Sequence, residues 1–185
     1  MTTLFEVEMK YKADDIGFDA FSDVAHSLNP ISVSDFGSHD YYFSDDQRFM
    51  RWRLSHIKPE LTSKVKHTDN NNIIRIEVNL PLHEIPSFEV MTTFSKMHGL
   101  KYDFHIWKTA RVFFFQEVLL AYYITYNPNM KELDRFIEIE AREDVNFASP
   151  EAAREAVERY EKLMDLSPQK RVRLSLFERY TTRSK

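Results

Sequence analysis

Residues 5–12 of the chain, FEVEMKYK, alternate apolar and charged side chains one by one. Successive side chains of a β-strand point to opposite faces, so a strand here has one apolar face and one charged face. The charged face carries Glu6, Glu8, Lys10 and Lys12. Two carboxylates and two ammonium groups in one line are what a site needs to hold a metal ion and a polyanion together. For this stretch alone, a strand face exposed to water is the simpler alternative.

The same polarity recurs in at least four later segments with strand-like alternation. Their charged positions are Arg51, Arg53, Lys64, Lys66, Arg75, Glu77, Glu138 and Glu140. An Arg guanidinium binds two phosphate oxygens with one planar fork, and a Lys ammonium is a compact charge. Paired Glu carboxylates supply the hard oxygen ligands that Mg²⁺ or Mn²⁺ prefers. We therefore expect a site in which these bases bind a polyphosphate chain and these acids hold a divalent metal at one end of it.

The spacing of these segments predicts one α+β domain over residues 1–185, built mainly from antiparallel strands. The segments predicted to be extended cover residues 5–12, 31–43 with an interruption near Gly37, 49–56, 61–67, 73–80, 106–115, 118–126, 133–142 and 171–180. A flat sheet would expose the charged faces to water, whereas a closed barrel would turn them into a lumen. Three amphipathic helices are available to cover the apolar outer face of such a barrel, and they favour closure.

Composition limits the function classes. With 185 residues, of which 43% are hydrophobic, the chain is long enough for one domain with a substantial core. A net charge of −4 argues against a non-specific nucleic-acid binder, so the bases that bind an anion must be concentrated locally. The absence of cysteine excludes disulfides and thiolate metal sites. Three glycines are too few for a Walker phosphate loop or a dinucleotide-binding fingerprint, so phosphate must be bound by side chains.

No segment predicts membrane association. The longest apolar run, residues 118–124, is too short to span a bilayer, and the N-terminal residues lack the pattern of a secretory signal. We expect a soluble cytoplasmic protein, a monomer or homodimer, whose partner is a small molecule and neither a nucleic acid nor a membrane.

A series of short motifs resembles those of the CYTH superfamily, the triphosphate tunnel metalloenzymes. The first-strand motif Glu-x-Glu-x-Lys is present as Glu6, Glu8 and Lys10. The later motifs are Asp40-Tyr41-Tyr42, Arg51-Trp52-Arg53, Leu61-Thr62-Ser63-Lys64, Arg75-Ile76-Glu77, a late arginine at Arg111, and Glu138-Ile139-Glu140. They follow the family's order over nearly the whole chain, and the ordered set is specific although each motif alone is weak.

This resemblance implies an antiparallel β-barrel tunnel of roughly eight strands with flanking helices. It implies that the substrate phosphates are bound by Lys10, Arg51, Arg53, Lys64, Lys66, Arg75 and Arg111. Three of these, Lys10, Arg53 and Lys64, are also expected to act in catalysis. The expected ligands of Mg²⁺ or Mn²⁺ are Glu6, Glu8, Glu77, Glu138 and Glu140. The superfamily includes thiamine triphosphatases, inorganic tripolyphosphatases and class IV adenylate cyclases, so the resemblance implies a triphosphate substrate.

Several positions depart from the family pattern, and two of them concern charged residues. Asn127 stands where an acidic residue usually precedes the turn before the second Glu-x-Glu, and it brings no charge. Thr109 stands where a lysine usually lies two residues before the late arginine. The neighbouring Lys108 falls on the opposite strand face unless a bulge intervenes.

Three functions remain open at this point. We prefer metal-dependent hydrolysis of inorganic tripolyphosphate, thiamine triphosphate or a nucleoside triphosphate, because it needs the least additional machinery. One alternative is a class IV adenylate cyclase, which converts ATP to cyclic AMP and pyrophosphate. The other is a nucleotide- or polyphosphate-binding module without turnover, which the departures at Asn127 and Thr109 suggest.

Overall fold

The structure, a computed structural model, describes residues 5–55, 59–65 and 74–181. Within these ranges the chain forms eight strands, four α-helices and a 3₁₀ turn at Pro168–Lys170. The strands are β1 (Phe5–Lys12), β2 (Ser32–Ser44), β3 (Arg48–Ser55), β4 (Glu60–Val65), β5 (Ile74–Pro81), β6 (Lys101–Phe114), β7 (Val118–Tyr126) and β8 (Glu132–Ala141). The helices are α1 (Phe18–Ser27), α2 (Phe88–Met97), α3 (Pro150–Leu163) and α4 (Leu176–Thr181). The predicted α+β class is confirmed.

All strand pairs are antiparallel, and their order β1-β5-β4-β3-β2-β6-β7-β8 returns to β1. The first strand closes this ring because it pairs with β5 through Phe5–Val7 and with β8 through Glu8–Lys12. Among the described residues the β1–β5 seam is only three residue pairs long. Within the described residues the sheet is therefore a curled ring with a short closure between β1 and β5.

The apolar strand faces point outward and pack under helices. Val7, Met9 and Tyr11 of β1 are at most 2% exposed and share a core with Ala153 and Val157 of α3. Burial of a large apolar side chain contributes about 1.5–3 kcal/mol. Because side chains alternate along a strand, this outward packing directs the charged residues of β1 into the ring.

The neighbouring part of the outer face is covered by α2. Phe43, Met50 and Trp52 pack there with Met91 of the helix. Ser87 caps the helix by accepting a hydrogen bond from the Val90 N–H. The same alternation on β3 leaves Arg51 and Arg53 on the inner face.

The strand predicted at residues 171–180 is wrong. In place of a strand ladder, Arg171 forms an isolated antiparallel β-bridge with Tyr11, and the helix α4 follows. The reason is a reciprocal cap: Ser175 Oγ accepts from the Glu178 N–H at 3.2 Å, while the Glu178 carboxylate accepts from the Ser175 N–H at 2.7 Å. The sequence contains this capping box as Ser-x-x-Glu, but the alternation of apolar residues led to the prediction of a strand.

In the described part of the chain, no helix has the length and apolar character to cross a bilayer.

Candidate active site

The inner strand faces enclose a cavity of about 130 Å³ whose lining is dominated by charged side chains. These are Glu6, Glu8, Lys10, Arg51, Arg53, Glu60, Lys64, Glu77, Lys108, Glu138, Glu140 and Glu143. Aromatic side chains contributed by Tyr42, Phe49, Tyr123 and Phe177 also line it. The cavity is smaller than the ~300–1,000 Å³ of ordinary ligand pockets, and its acids and bases contact one another across the space.

One end of the charge network lies between β1 and β8. Their register places Glu8 directly opposite Glu140, and Lys10 directly opposite Glu138. Lys10 Nζ lies 3.2 Å from Glu8 Oε1 and 3.4 Å from Glu138 Oε1. Burial raises the pKa of Glu140 well above its usual range, and the neighbouring carboxylates Glu6, Glu138 and Glu8 raise it further. Carboxylates crowded in this way favour a bound cation or proton.

Lys64 holds a second pair of carboxylates together. Its Nζ donates to Glu6 Oε2 at 2.7 Å and forms an ion pair with Glu77. Burial alone would lower the pKa of this lysine, but Glu6 and Glu77 outweigh it and raise the pKa. Lys64 therefore remains a cation inside the ring.

Arg51 and Arg53 of β3 lie on the same inner face. Arg53 donates from Nε and Nη2 to the two carboxylate oxygens of Asp40 at 2.8 and 2.7 Å. Although burial favours the neutral acid, Arg53 lowers the pKa of Asp40 well below its usual range. Arg51 donates from Nη2 to Glu60 at 2.8 Å and to Thr62 Oγ1 at 2.9 Å.

The structure does not bring Arg111 to this cavity, so its expected place in the phosphate site is corrected. Its guanidinium binds Asp35 on the outer face at 2.7 and 3.0 Å, and its side chain is 37% exposed. The β2–β6 register is regular here, since its irregularity lies at Tyr42 and Phe43. Without a local bulge, residues 108 and 111 must face opposite sides of β6.

Lys108 is the basic residue of β6 that lines the cavity. The sequence motifs had pointed to Arg111 instead. Its Nζ lies 3.8 Å from Glu138 Oε2 and 3.7 Å from the centroid of the Tyr123 ring. Burial lowers the pKa of Lys108 to about 8, against the opposing effect of Glu138. The inward face of β6 could be assigned only once its pairing with β2 and β7 was known.

The remaining residues predicted for the site lie in different places. Lys66 lies outside the described residues, and only the backbone of Arg75 is described, paired with Glu6. Asn127 Oδ1 accepts from the N–H groups of Asn129 and Lys131 at 3.0 and 2.9 Å, so it stabilises a turn. The structure brings together Glu6, Glu8, Lys10, Arg51, Arg53, Lys64, Glu77, Glu138 and Glu140. It adds Glu60, whose even spacing from Thr62 and Lys64 was the signal available in the sequence.

The carboxylates have the chemistry of a Mg²⁺ or Mn²⁺ site, because hard anionic oxygens are crowded on adjoining strands. As the side chains stand, no three acidic or histidine side chains within the described ranges are arranged to ligate one ion. Lys10 and Lys64 hold the carboxylates instead. The donor atoms are of the type that a divalent metal takes, and in this arrangement they are held by lysines.

No protein-family model matches the sequence, and no curated protein matches it significantly. Several solved structures do match. A conserved hypothetical protein from Pyrococcus furiosus has a TM-score of 0.73 at 27% identity, over 94% of this chain and 98% of that chain. A "putative adenylate cyclase" from Vibrio parahaemolyticus has a TM-score of 0.67 at 15% identity, over 96% and 98% of the two chains. Another from Bacillus halodurans has a TM-score of 0.58 at 18% identity, over 95% and 96%.

These likenesses extend over almost the full length of each chain, and the cavity lies inside the shared sheet. They show that this chain shares the fold of these proteins, an antiparallel eight-stranded sheet with flanking helices, which is the architecture that the sequence motifs implied.

Proposed function

We propose that this protein binds a triphosphate in its charged tunnel and hydrolyses it with the help of Mg²⁺ or Mn²⁺. The observation that carries the proposal is the joint presence of basic forks and opposed carboxylates in one small cavity. A purely structural ion-pair network would not need two glutamates directly opposite each other, since like charges in that position destabilise a sheet.

Arg51, Arg53, Lys64 and Lys108 would bind the phosphate chain. Arg51 supports this assignment because its Nε is buried and has no hydrogen-bond partner among the described residues. A buried donor without an acceptor is costly, and a phosphate oxygen would satisfy it. Arg53 is oriented by Asp40 through two of its nitrogens, which leaves Nη1 directed towards Glu60.

The metal would be held by residues from Glu6, Glu8, Glu77, Glu138 and Glu140. When bound, a divalent ion would orient the attacking water and screen the charge that develops on the phosphoryl oxygens. Lys10 would then release Glu8 and Glu138 and bind a phosphate oxygen. Lys10, Arg53 and Lys64 thereby stabilise negative charge on the reacting group, which is the main contribution a protein makes to phosphoryl transfer.

The test is to incubate the protein with tripolyphosphate, thiamine triphosphate and ATP, each with Mg²⁺ or Mn²⁺ and with a chelator, and to identify the products. We expect orthophosphate, lost on chelation and lost in Glu138→Gln while the variant stays folded. Cyclic AMP and pyrophosphate as the main products of ATP would assign a cyclase instead. Absence of turnover together with stabilisation by triphosphates would assign a binding module.

A further inference from the structure

A carboxylate that no motif predicted, Glu60, lies between Arg51 and Arg53 of β3. It begins β4 directly opposite Arg53 in the β3–β4 register. Its Oε1 accepts a hydrogen bond from Arg51 Nη2 at 2.8 Å and lies 3.7 Å from Arg53 Nη1. The Glu60 carboxylate therefore contacts both guanidinium groups from inside the cavity, where a phosphate oxygen would bind them.

The two acidic partners of these arginines are held in different ways. Asp40 is fully buried and uses both oxygens against two nitrogens of Arg53, the geometry of a fixed structural pair. Glu60 lines the cavity, and the three contacts described for it, to Arg51, Arg53 and Thr62, all involve the single oxygen Oε1. A carboxylate held through one oxygen at the cavity surface is the more easily displaced of the two.

The hydrogen bonding of the Arg51 guanidinium also indicates that Glu60 can be displaced. Glu60 and Thr62 occupy its Nη2, yet its Nε is buried without a partner among the described residues. One carboxylate oxygen thus leaves the guanidinium incompletely satisfied. A phosphate group has more acceptor oxygens than Glu60 offers through Oε1. It can therefore accept hydrogen bonds from both Nε and Nη2 of Arg51, whereas Glu60 accepts from Nη2 alone.

We propose that Glu60 is an internal competitor of the substrate: its carboxylate occupies a phosphate position between Arg51 and Arg53 and leaves it when a triphosphate binds. This inference rests on the proposed function and adds a residue that sets the affinity of the site. Only a ligand that makes several contacts along the tunnel replaces Glu60 effectively, which makes the site weak for small single anions.

The experiment measures the dissociation constant of sodium tripolyphosphate by isothermal titration calorimetry, at fixed salt and with EDTA present. Glu60→Gln keeps the side-chain shape and removes its charge, and Glu60→Ala also clears the space. The matched control is Glu143→Gln, which removes one negative charge from the same cavity at a residue whose described contact is with Asn79. Thermal unfolding of each variant shows that it is folded.

We expect both Glu60 variants to bind tripolyphosphate about tenfold more tightly than the unchanged protein, because a charge-assisted hydrogen bond no longer has to be broken. Glu143→Gln should change the affinity by less than about threefold, the effect of a screened charge. An equal gain in Glu143→Gln would overturn the inference in favour of a general field effect. Weaker binding by Glu60→Gln would overturn it by showing that Glu60 positions the arginines. If the unchanged protein and all variants fail to bind, this inference fails, and the product assay with Mg²⁺ or Mn²⁺ decides the proposed function separately.

Discussion

Glu8 and Glu140 face each other directly where β1 pairs with β8, and Lys10 faces Glu138 as the next pair along the same face. Carboxylates in this position repel each other, and burial in the ring strengthens the repulsion by excluding water. The outward packing of Val7, Met9 and Ile139 fixes both strands in this register. The fold therefore stabilises an arrangement of charges that is unfavourable without a cation or a proton.

We predict that Glu140→Gln stabilises the metal-free protein by about 0.2–1 kcal/mol near neutral pH, because it removes the repulsion between residues 8 and 140. Burial raises the pKa of Glu140 in the folded state. Glu140 therefore lowers the free energy of unfolding only at pH values above its unfolded-state pKa. The gain should be absent below about pH 4, where Glu is protonated in both states, and should grow as the pH rises. Urea unfolding with EDTA at several pH values measures it, with the exposed Glu155→Gln of α3 as the control. A loss of stability at every pH would contradict the prediction.

A second prediction concerns Lys10, the counter-ion of Glu8 and Glu138. Lys10→Met should lower the free energy of unfolding of the metal-free protein by about 3–5 kcal/mol, because two buried carboxylates lose their partner. In the folded variant those carboxylates become available, so Mn²⁺ should bind more tightly even though turnover falls. Calorimetric titration with Mn²⁺ tests this, with Lys12→Met as the control at a side chain that is 35% exposed. Unchanged or weaker Mn²⁺ binding would place the metal elsewhere.

The two arginines on opposite sides of the sheet provide a third prediction. Arg51→Ala should weaken tripolyphosphate binding by roughly 10- to 100-fold, since it removes charged hydrogen bonds to the ligand. Arg111→Ala should leave that affinity unchanged, because its partner Asp35 lies on the outer face. Titration calorimetry of the two variants distinguishes the tunnel from the outer surface. Equal losses in both would refute the inner and outer assignments.

A fourth prediction concerns the attachment of α4 to the ring. Arg179 donates to both oxygens of Asp134 at 2.9 and 3.1 Å, and the Tyr180 hydroxyl donates to Oδ2 at 3.0 Å. Burial favours the neutral acid, but Arg179, Lys12 and Tyr180 outweigh it and lower the pKa of Asp134 to about 2. This stabilisation is complete above the unfolded-state pKa of about 3.9 and is lost as the pH falls towards 2.

Asp134→Asn should therefore lower the free energy of unfolding at pH 7 and flatten its decline between about pH 4 and pH 2. Chemical unfolding over this range measures both effects, and the exposed Asp23→Asn of α1 is the control. If Asp134→Asn retains the full acid dependence of the unchanged protein, the Asp134 contacts do not fasten α4.

The alternation of side chains in the sequence was sufficient to identify most of the inner face. Once Val7 and Met9 are assigned to the core, Glu6, Glu8 and Lys10 must point the other way, because the period of a strand is two. The same reasoning placed Arg51 with Arg53 and Glu138 with Glu140, and the structure confirms their common cavity. Their roles in binding metal and phosphate stay predictions, as do any roles of Lys66 and Arg75.

Tertiary structure decided what alternation could not. Both faces of β6 carry bases and apolar residues, so only its pairing with β2 and β7 shows that Lys108 is inside and Arg111 outside. The C-terminal segment alternates like a strand, but the Ser175–Glu178 cap and the contacts of Leu176 and Phe177 inside the ring select a helix. A local pattern determines which residues share a face. Which face is buried, and which distant strand supplies the opposing charge, depends on contacts between residues far apart in the chain.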